Sequence, residues 1–408
     1  MTLPADAPSL ELLVIQPTPF CNLDCEYCYL PDRTSTARIS EEVLRRVFEQ
    51  VLSSSYARDA FTVVWHAGEP LVLPVAFYER AIALIAELNT SRLTINHSFQ
   101  TNGTLITPAW CEFVTRHHVG VGVSVDGPAF LHDARRKTRA GKGTHARVMK
   151  GIQCLQAHGI DFHVISVLTR ESLNHADELF QFYVENGLRR VGFNVEEIEG
   201  VNLVSSLRSR APREQIRGFF ERFLELNRSS TLEVREFDGL ATFIARGSGF
   251  IDRNQENTPL RIINVDCAGN FSTFSPELLG LKSLTYGDFM MGNVMRDSLA
   301  SIAESAKFRR ICRDVDEGIA RCRATCDYFG LCGGGSPSNK YFENGTFASA
   351  DTMHCTLSKK AVVDVLLTRI ESDLHRMDCG AANQRFRFGH PQDDGPRDGN
   401  RRPCECPP

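Results

Sequence analysis

The residues best placed to do chemistry are three cysteines, Cys21, Cys25 and Cys28, spaced C-x3-C-x2-C after an apolar, strand-like run, Leu12-Leu13-Val14-Ile15. Three thiolates on one short loop can hold three irons of a [4Fe–4S] cube and leave the fourth iron open to a small molecule. Electron-transfer ferredoxins use four cysteines per cluster, so an open iron points to chemistry at the cluster. Zinc and a disulfide are the competing uses. Structural zinc sites combine a C-x2-C pair with a second pair, which a lone triplet fits poorly.

A second group lies towards the other end. Cys322, Cys326, Cys332 and Cys355 show C-x3-C-x5-C and a distant fourth. Four thiolates can fully ligate a second [4Fe–4S] cluster, and Gly333-Gly334-Gly335 lets backbone amides approach sulfide. Zinc is again the alternative. Fourteen cysteines in a small secreted chain would mean disulfides. In 408 residues that open without a signal peptide, metal or redox use is favoured. Cys111 and Cys154 stand alone in helix-like segments and are expected to be small buried apolar residues. Cys267, Cys312, Cys379, Cys404 and Cys406 receive no role.

The bulk composition narrows the class. An apolar content of 42% with a net charge of −4 is that of a soluble globular protein and gives no sign of nucleic-acid binding. No apolar run approaches a membrane span. A cytoplasmic location without nucleic-acid or membrane partners is the expectation.

What must position the cysteines is an alternation of strand and helix from residue 10 to about 195. Strands are expected at Leu12–Ile15, Phe61–Trp65, Leu93–Phe99, Val119–Val125, Phe162–Leu168 and Val191–Val195. Helices are expected at Glu41–Leu52, Val75–Leu88, Pro108–His117, Thr144–His158, Ala176–Glu185 and Pro212–Leu226. The fold class is α/β, a partial (βα)6 TIM-like barrel followed by a Cys-rich C-terminal module. The domains follow as 1–230 (barrel core), 231–261 (a connection around Gly247-Ser248-Gly249), 262–378 (Cys-rich module) and 379–408 (a polar, Pro/Gly-rich tail expected to be disordered).

In α/β barrels the chemistry sits at the C-terminal strand ends. The second strand ends in His66-Ala67-Gly68-Glu69-Pro70, where small residues admit a ligand to the backbone and Glu69 could face a cationic amine. The third ends in Gln100-Thr101-Asn102-Gly103 and the fourth in Ser124-Val125-Asp126-Gly127. Both present polar side chains. Leu168 closes the fifth. The sixth runs into Glu196-Glu197-Ile198-Glu199, carboxylates that could act as a base, grip a substrate cation, or be salt-bridged surface groups. Arg135 to Lys150 holds seven Lys/Arg and no acid. It is either a solvated basic face or an anion-binding one.

The cysteine spacing and the aromatic before the last cysteine resemble the radical S-adenosylmethionine (SAM) enzymes, and Ala67-Gly68-Glu69-Pro70 resembles that family's GGEP motif with its first glycine replaced. The resemblance implies that Cys21, Cys25 and Cys28 hold a [4Fe–4S] cluster whose open iron chelates SAM. It places Gly68, Glu69 and Pro70 near the SAM amino group, Gln100, Asn102 and Asp126 near ribose and carboxylate, Ser124 and Arg136 on the carboxylate, and Leu168 beside adenine. The second cysteine group resembles the SPASM-type extension of peptide-modifying members. This implies at least one auxiliary [4Fe–4S] cluster on Cys322, Cys326, Cys332 and Cys355. In the extension's opening motif, Asp266-Cys267 to Glu277, Phe274 stands where a cysteine ligand is usual, which puts a further cluster in doubt. Phe271-Ser272-Thr273-Phe274-Ser275-Pro276-Glu277, Tyr286-Gly287-Asp288-Phe289 and the Cys-Gly-Gly-Gly run look like the GrrM/OscB-like, cyclophane-forming subgroup.

By that resemblance the chain is an oxidoreductase that modifies a ribosomally made precursor peptide. It would form a C–C crosslink between an aromatic ring and a side-chain β-carbon, with Glu196 or Glu197 taking the released proton and a flavodoxin or ferredoxin as electron donor. The peptide is expected to dock within this chain, by adding a strand at an exposed sheet edge. The alternatives are an anaerobic sulfatase maturase that makes formylglycine, a thioether-forming peptide maturase and, outside enzymes, an iron–sulfur scaffold or sensor.

Overall fold

A ten-stranded sheet organises the molecule. The computed structural model describes residues 9–58, 60–208, 211–239 and 251–385. The expected Gly247-Ser248-Gly249 connection and residues 386–408, with Cys404 and Cys406, lie outside them. The chain divides into two compact units, Met1–Asp364 and Val365–Pro408.

In the first unit, β1 (Leu12–Ile15), β2 (Phe61–Trp65), β3 (Ile95–Thr101), β4 (Gly120–Ser124), β5 (His163–Leu168), β6 (Arg190–Val195) and β7 (Glu233–Val234) pair in parallel, in that order. Helices α1 (Glu41–Leu52), α2 (Val75–Leu88), α3 (Pro108–His117), α4 (Ala129–Arg135), α5 (His145–Ala157), α6 (Ala176–Glu185) and α7 (Pro212–Leu226) connect or follow them. This is the expected partial barrel, with its boundaries moved by at most two residues. The largest shift is in β3, which starts at Ile95 rather than Leu93. The Asn89 side chain bonds both Leu93 N (2.9 Å) and Leu93 O (2.8 Å) and holds that residue in the turn.

Each helix buries an aromatic or aliphatic stripe against the sheet. Trp65, Tyr78, Phe99, Trp110 and Phe113 meet edge-on between β2, β3, α2 and α3. Tyr183, Phe193, Phe219 and Phe223 do the same between α6, β6 and α7. These two clusters fix the strand ends that carry the polar groups.

The sheet also continues past β1. β8 (Ile262–Val265), buried at every residue, pairs parallel with β1, Leu12 opposite Ile262. It then turns back antiparallel into β9 (Asn270–Thr273). The segment expected to open the second module is thus hydrogen-bonded into the barrel sheet. Beyond it, Phe274, Tyr286, Phe289, Ile311, Val315, Ile319 and Phe347 form a separate core under α8 (Ala306–Thr325). α9 (Pro337–Asn344) follows, and α10 runs from Ala361 to Arg385, through the boundary expected at residue 378. Among the described residues no helix is long and apolar enough to cross a membrane.

Candidate active site

Cys21, Cys25 and Cys28 lie on the loop after β1, half-buried and free of disulfides. The basic segment does not stand off in solvent; it grips this loop. Arg139 donates to the Cys21 carbonyl through Nε (3.0 Å) and a terminal nitrogen (2.8 Å). Arg135 and Lys137 pair with Glu26 at 2.8 and 2.7 Å. Asp24 N and Glu26 N donate to Lys137 O and Arg135 O. Burial pushes the Cys21 thiol up to about 12, helped by the Glu69 charge, and Cys25 up to about 11 against the pull of Arg136. Thiols so held stay protonated at neutral pH unless a cation stands beside the sulfur.

Glu69, one of the groups expected near a ligand amine, is consumed by its own chain. Oε1 accepts from Leu71 N (3.0 Å) and Thr101 Oγ1 (2.6 Å), and Oε2 from Asn102 N (2.7 Å). It ties the ends of β2 and β3 together, and burial lifts its pKa to about 7 despite three hydrogen bonds. Gly68 faces the cysteine loop at a positive φ of 59°. A Cβ there would stand 2.5 Å from Phe20 O, so only glycine admits this approach. Pro70 starts the short turn that follows. Asn102 Nδ2 donates to Asn22 Oδ1 (2.8 Å) and reaches Cys21 Sγ at 3.8 Å. Gln100 donates to Ser124 across β3 and β4 at 3.1 Å.

Asp126 is a buried junction. Arg136 forks onto it at 2.9 and 3.1 Å, the Tyr27 hydroxyl donates to it, and Val167 N donates at 3.0 Å. Burial opposes its charge most strongly, but Arg136, His132 and Tyr27 together hold the carboxyl below its usual range. Leu168 is buried and its carbonyl accepts from Glu196 N at 2.9 Å.

The two candidate acids separate. Glu196 is tied into its own loop, accepting from Ser206 N (2.6 Å) and the Ser206 hydroxyl. Glu197 instead lines a cavity of about 540 Å³ with Glu199, Glu277, Glu256, Asn339 and His354. Its Oε1 lies 3.2 Å from His354 Nε2 and its Oε2 accepts from Asn339 at 3.2 Å. Glu199 accepts from Ser338 (2.9 Å) and Asn339 (2.8 Å). Burial opposes the charges of both Glu197 and His354. Their mutual attraction outweighs it, lowering the first and raising the second. Glu199 is driven well above the carboxylate range by burial and the Glu197 charge, and burial pushes Glu277 up to about 8. The site therefore holds an ion pair beside neutral acids. Glu277, Asn339 and His354 were given no role from sequence. Glu199 was named only among the carboxylates after the sixth strand, and His354 is marked only by its place next to Cys355.

Cys322, Cys326, Cys332 and Cys355 line one small cleft, and Cys332, Tyr328, Ser336 and Lys359 border both it and the acid-lined cavity. The three glycines after Cys332 have φ of 66°, 101° and 72°, and Asn257 Nδ2 clamps their carbonyls at 2.7 and 3.1 Å. Neither cysteine set converges within 4.8 Å as a single ion requires. Both sets consist of free thiols, the donor type that iron–sulfur clusters use. Among the described residues the group that does converge is Cys111, Cys154 and His158, with sulfurs 3.5 Å apart. It offers three donors, and His158 Nδ1 is engaged by Cys154 O at 2.8 Å. Cys111 is fully buried and Cys154 half-buried. Phe274 sits in the second core at 1% exposure and cannot ligate. Cys267 and Cys312 join neither set.

Comparison with known proteins agrees with this geometry. The model of the radical SAM superfamily matches residues 15–183. A Synechocystis sp. protein described as uncharacterized protein sll1766 is 46% identical over 370 residues, covering 89% of this chain and 93% of that one. The cysteine-type anaerobic sulfatase-maturating enzyme of Clostridium perfringens is 26% identical over 80% of this chain and 89% of its own. The solved structure of anSMEcpe with bound AdoMet and a Cp18Cys peptide superposes with a TM-score of 0.71 at 21% identity, covering 91% of this chain and 100% of that one. At that identity it speaks for the fold.

Proposed function

The chain belongs to the radical SAM superfamily, enzymes that use SAM and a [4Fe–4S] cluster, and we propose that it matures a ribosomally made precursor peptide by closing a C–C crosslink between an aromatic ring and a side-chain β-carbon. The observation that carries this reading is the acid-lined cavity bordered by Cys332. Joining C–H to ring C–H gives one C–C bond and releases two hydrogens. One leaves as an atom, the other as a proton and an electron. A proton acceptor and an electron acceptor must therefore face the same substrate.

Cys21, Cys25 and Cys28 would hold the cluster, with Gly68, Gln100, Asn102 and Ser124 around the SAM site. When bound, cluster and SAM together supply the one-electron chemistry that removes the hydrogen atom. Cys322, Cys326, Cys332 and Cys355 would hold an auxiliary cluster, whose chemistry is electron transfer. Glu197, ionised against His354, accepts the proton at Oε1 or Oε2. Neutral Glu199, sharing Asn339 with it, can relay that proton onward. A volume of about 540 Å³ suits a few side chains of a peptide and holds them out of bulk water. The peptide-bound anSMEcpe structure supports a peptide or protein as substrate class.

Anaerobic co-expression with any short peptide gene beside its own, followed by tandem mass spectrometry, tests the proposal. The expected product has lost two hydrogens per site, resists fragmentation across a segment containing an aromatic residue, and keeps its thiols alkylatable. Unchanged mass with intact clusters refutes it for that peptide. It would favour formylglycine formation, in keeping with the sulfatase-maturating relative.

A further inference from the structure

We propose that Lys340 is the built-in counter-charge of the Cys322/Cys326/Cys332/Cys355 site, there to balance an anionic cluster and to make it the easier of the two to reduce. This rests on the preceding reading only in taking the four thiols as cluster ligands; it is independent of the peptide and of the bond formed.

Lys340 lies on α9, 3% exposed, and lines the cleft that the four cysteines share. It shares that cleft with Cys322, and its charge favours the Cys322 thiolate. Its Nζ reaches Gly318 of α8, where a Cβ would stand 3.1 Å from it and closer still to the Phe347 carbonyl. Among the described residues Lys340 has no carboxylate within ion-pair distance. Of the two further lysines that line the cleft, Lys359 also borders the acid-lined cavity and Lys360 is paired. Lys360 Nζ is 2.8 Å from Asp351, so its charge is already answered.

A buried ammonium without a counter-ion is among the costliest groups a protein can carry. Four neutral thiols give it none. Four thiolates around a [4Fe–4S] cube leave a net negative charge in the cleft, and one more negative charge after reduction. A fixed cation beside the sulfurs stabilises the reduced form more than the oxidised one, and cluster potentials follow local charge and hydrogen bonds to sulfur. The same cation at the open-iron cluster would oppose its need for a strong reductant. There the buried charge, Arg136, is already spent on Asp126, and Arg139, which grips the Cys21 carbonyl, is exposed to solvent. The asymmetry gives the surplus electron of the reaction a downhill destination. Lys340 acts through the cysteines and is a positioning residue, not a catalytic one.

The test is an anaerobic redox titration of the holoenzyme followed by electron paramagnetic resonance, with iron counted in each sample. The signal that SAM leaves unchanged is assigned to the auxiliary cluster. In K340M at full iron, the reduced-to-oxidised ratio of that cluster at fixed potential should fall at least tenfold, a shift of 59 mV for one electron. K340R should recover most of it, and K360M should shift it less than K340M. If K340M loses iron, retention in K340R with loss in K340Q supports a required charge. An unchanged potential in iron-replete K340M, a shift in K360M as large, or iron loss in K340R as well, overturns the proposal. Failure of the crosslinking assay would not bear on these readings.

Discussion

Substituting Asp126→Asn separates two roles that the sequence leaves merged. Asp126 and Arg136 keep only 5% and 7% of their surface exposed, and the carboxylate receives both prongs of the guanidinium, the Tyr27 hydroxyl and Val167 N. The Asn side chain leaves that guanidinium inside with its charge unanswered. Removing one partner of a buried pair costs about 3–5 kcal/mol. The amide oxygen can still accept one N–H, so the lower end applies, about 3 kcal/mol. That is a factor of roughly 10² in the folded-to-unfolded ratio and a large part of the about 5–15 kcal/mol typical of a domain.

Tyr27 sits between Cys25 and Cys28, so the loosening should reach the cluster loop and lower the iron bound per chain. Anaerobic urea denaturation followed by circular dichroism, at matched iron content, reads the stability. The acid side gives a second readout. Because the folded pKa of Asp126 lies below its unfolded 3.8, its contribution is present above that value and is lost as pH falls through the folded pKa. The deficit of the Asn variant should therefore shrink in acid. Were Arg136 chiefly a SAM-carboxylate ligand, D126N would weaken SAM affinity while leaving the SAM-free protein stable. A loss under about 1 kcal/mol with full iron refutes the structural role.

In the acid cluster, Glu277 has its pKa raised from 4.5 to about 8 by burial. Its stabilising contribution is complete below the unfolded value and is lost as pH rises through about 8. E277Q should flatten that decline, and denaturation at pH 5 and pH 8.5 checks it; an equal decline in both proteins would contradict the burial argument. E197Q should lower crosslinked product about 10²-fold or more, the scale of a lost acid–base group, while 5′-deoxyadenosine release persists. E196Q, confined to the Ser205-Ser206 loop, should spare product, and quantitative mass spectrometry compares the two. F274C should cost about 3–5 kcal/mol, as deletion of a core phenylalanine does, and add no iron. An increase of about four irons per chain would mean the position can ligate after all.

Much of the barrel was legible because strand and helix periodicities are local. β1, β2 and five of the helices fall at the expected residues, since apolar spacing and helix starts such as the Ser40 cap or Pro108 are written in adjacent positions. The grouping of Cys21, Cys25 and Cys28 was legible for the same reason, since they follow one another on one loop. What stayed hidden depends on pairing across distance. Nothing near Ile262 says that it will join β1, 250 residues earlier in the chain. Nothing at Glu69 says that its carboxylate will be spent on Thr101 and Asn102. Glu196 and Glu197 are neighbours and look equivalent. Adjacent residues leaving a strand face opposite ways, and that alternation sends one into its loop and the other into the cavity.

The same alternation explains why the acids, the least certain residues in the sequence, become the most informative in the structure. Glu197 and Glu199 are two apart, so both face the cavity, and at that separation two buried carboxylates cannot both ionise cheaply. His354 settles which one does, by pairing with Glu197 at 3.2 Å and leaving Glu199 the proton. His354 is held there by its own backbone, whose N donates to Glu343 at 3.0 Å, while the next residue, Cys355, donates its N to Thr352 Oγ1 at 3.0 Å. One short turn thus carries both the partner that sets the charge state of the acid pair and a cysteine of the neighbouring cleft. Removing the iron ligand Cys355 should then disturb proton handling as well as electron transfer, which a barrel with an unrelated appendage would not do. C355A, read by the pH dependence of SAM cleavage and of crosslinking separately, should shift the second profile and spare the first.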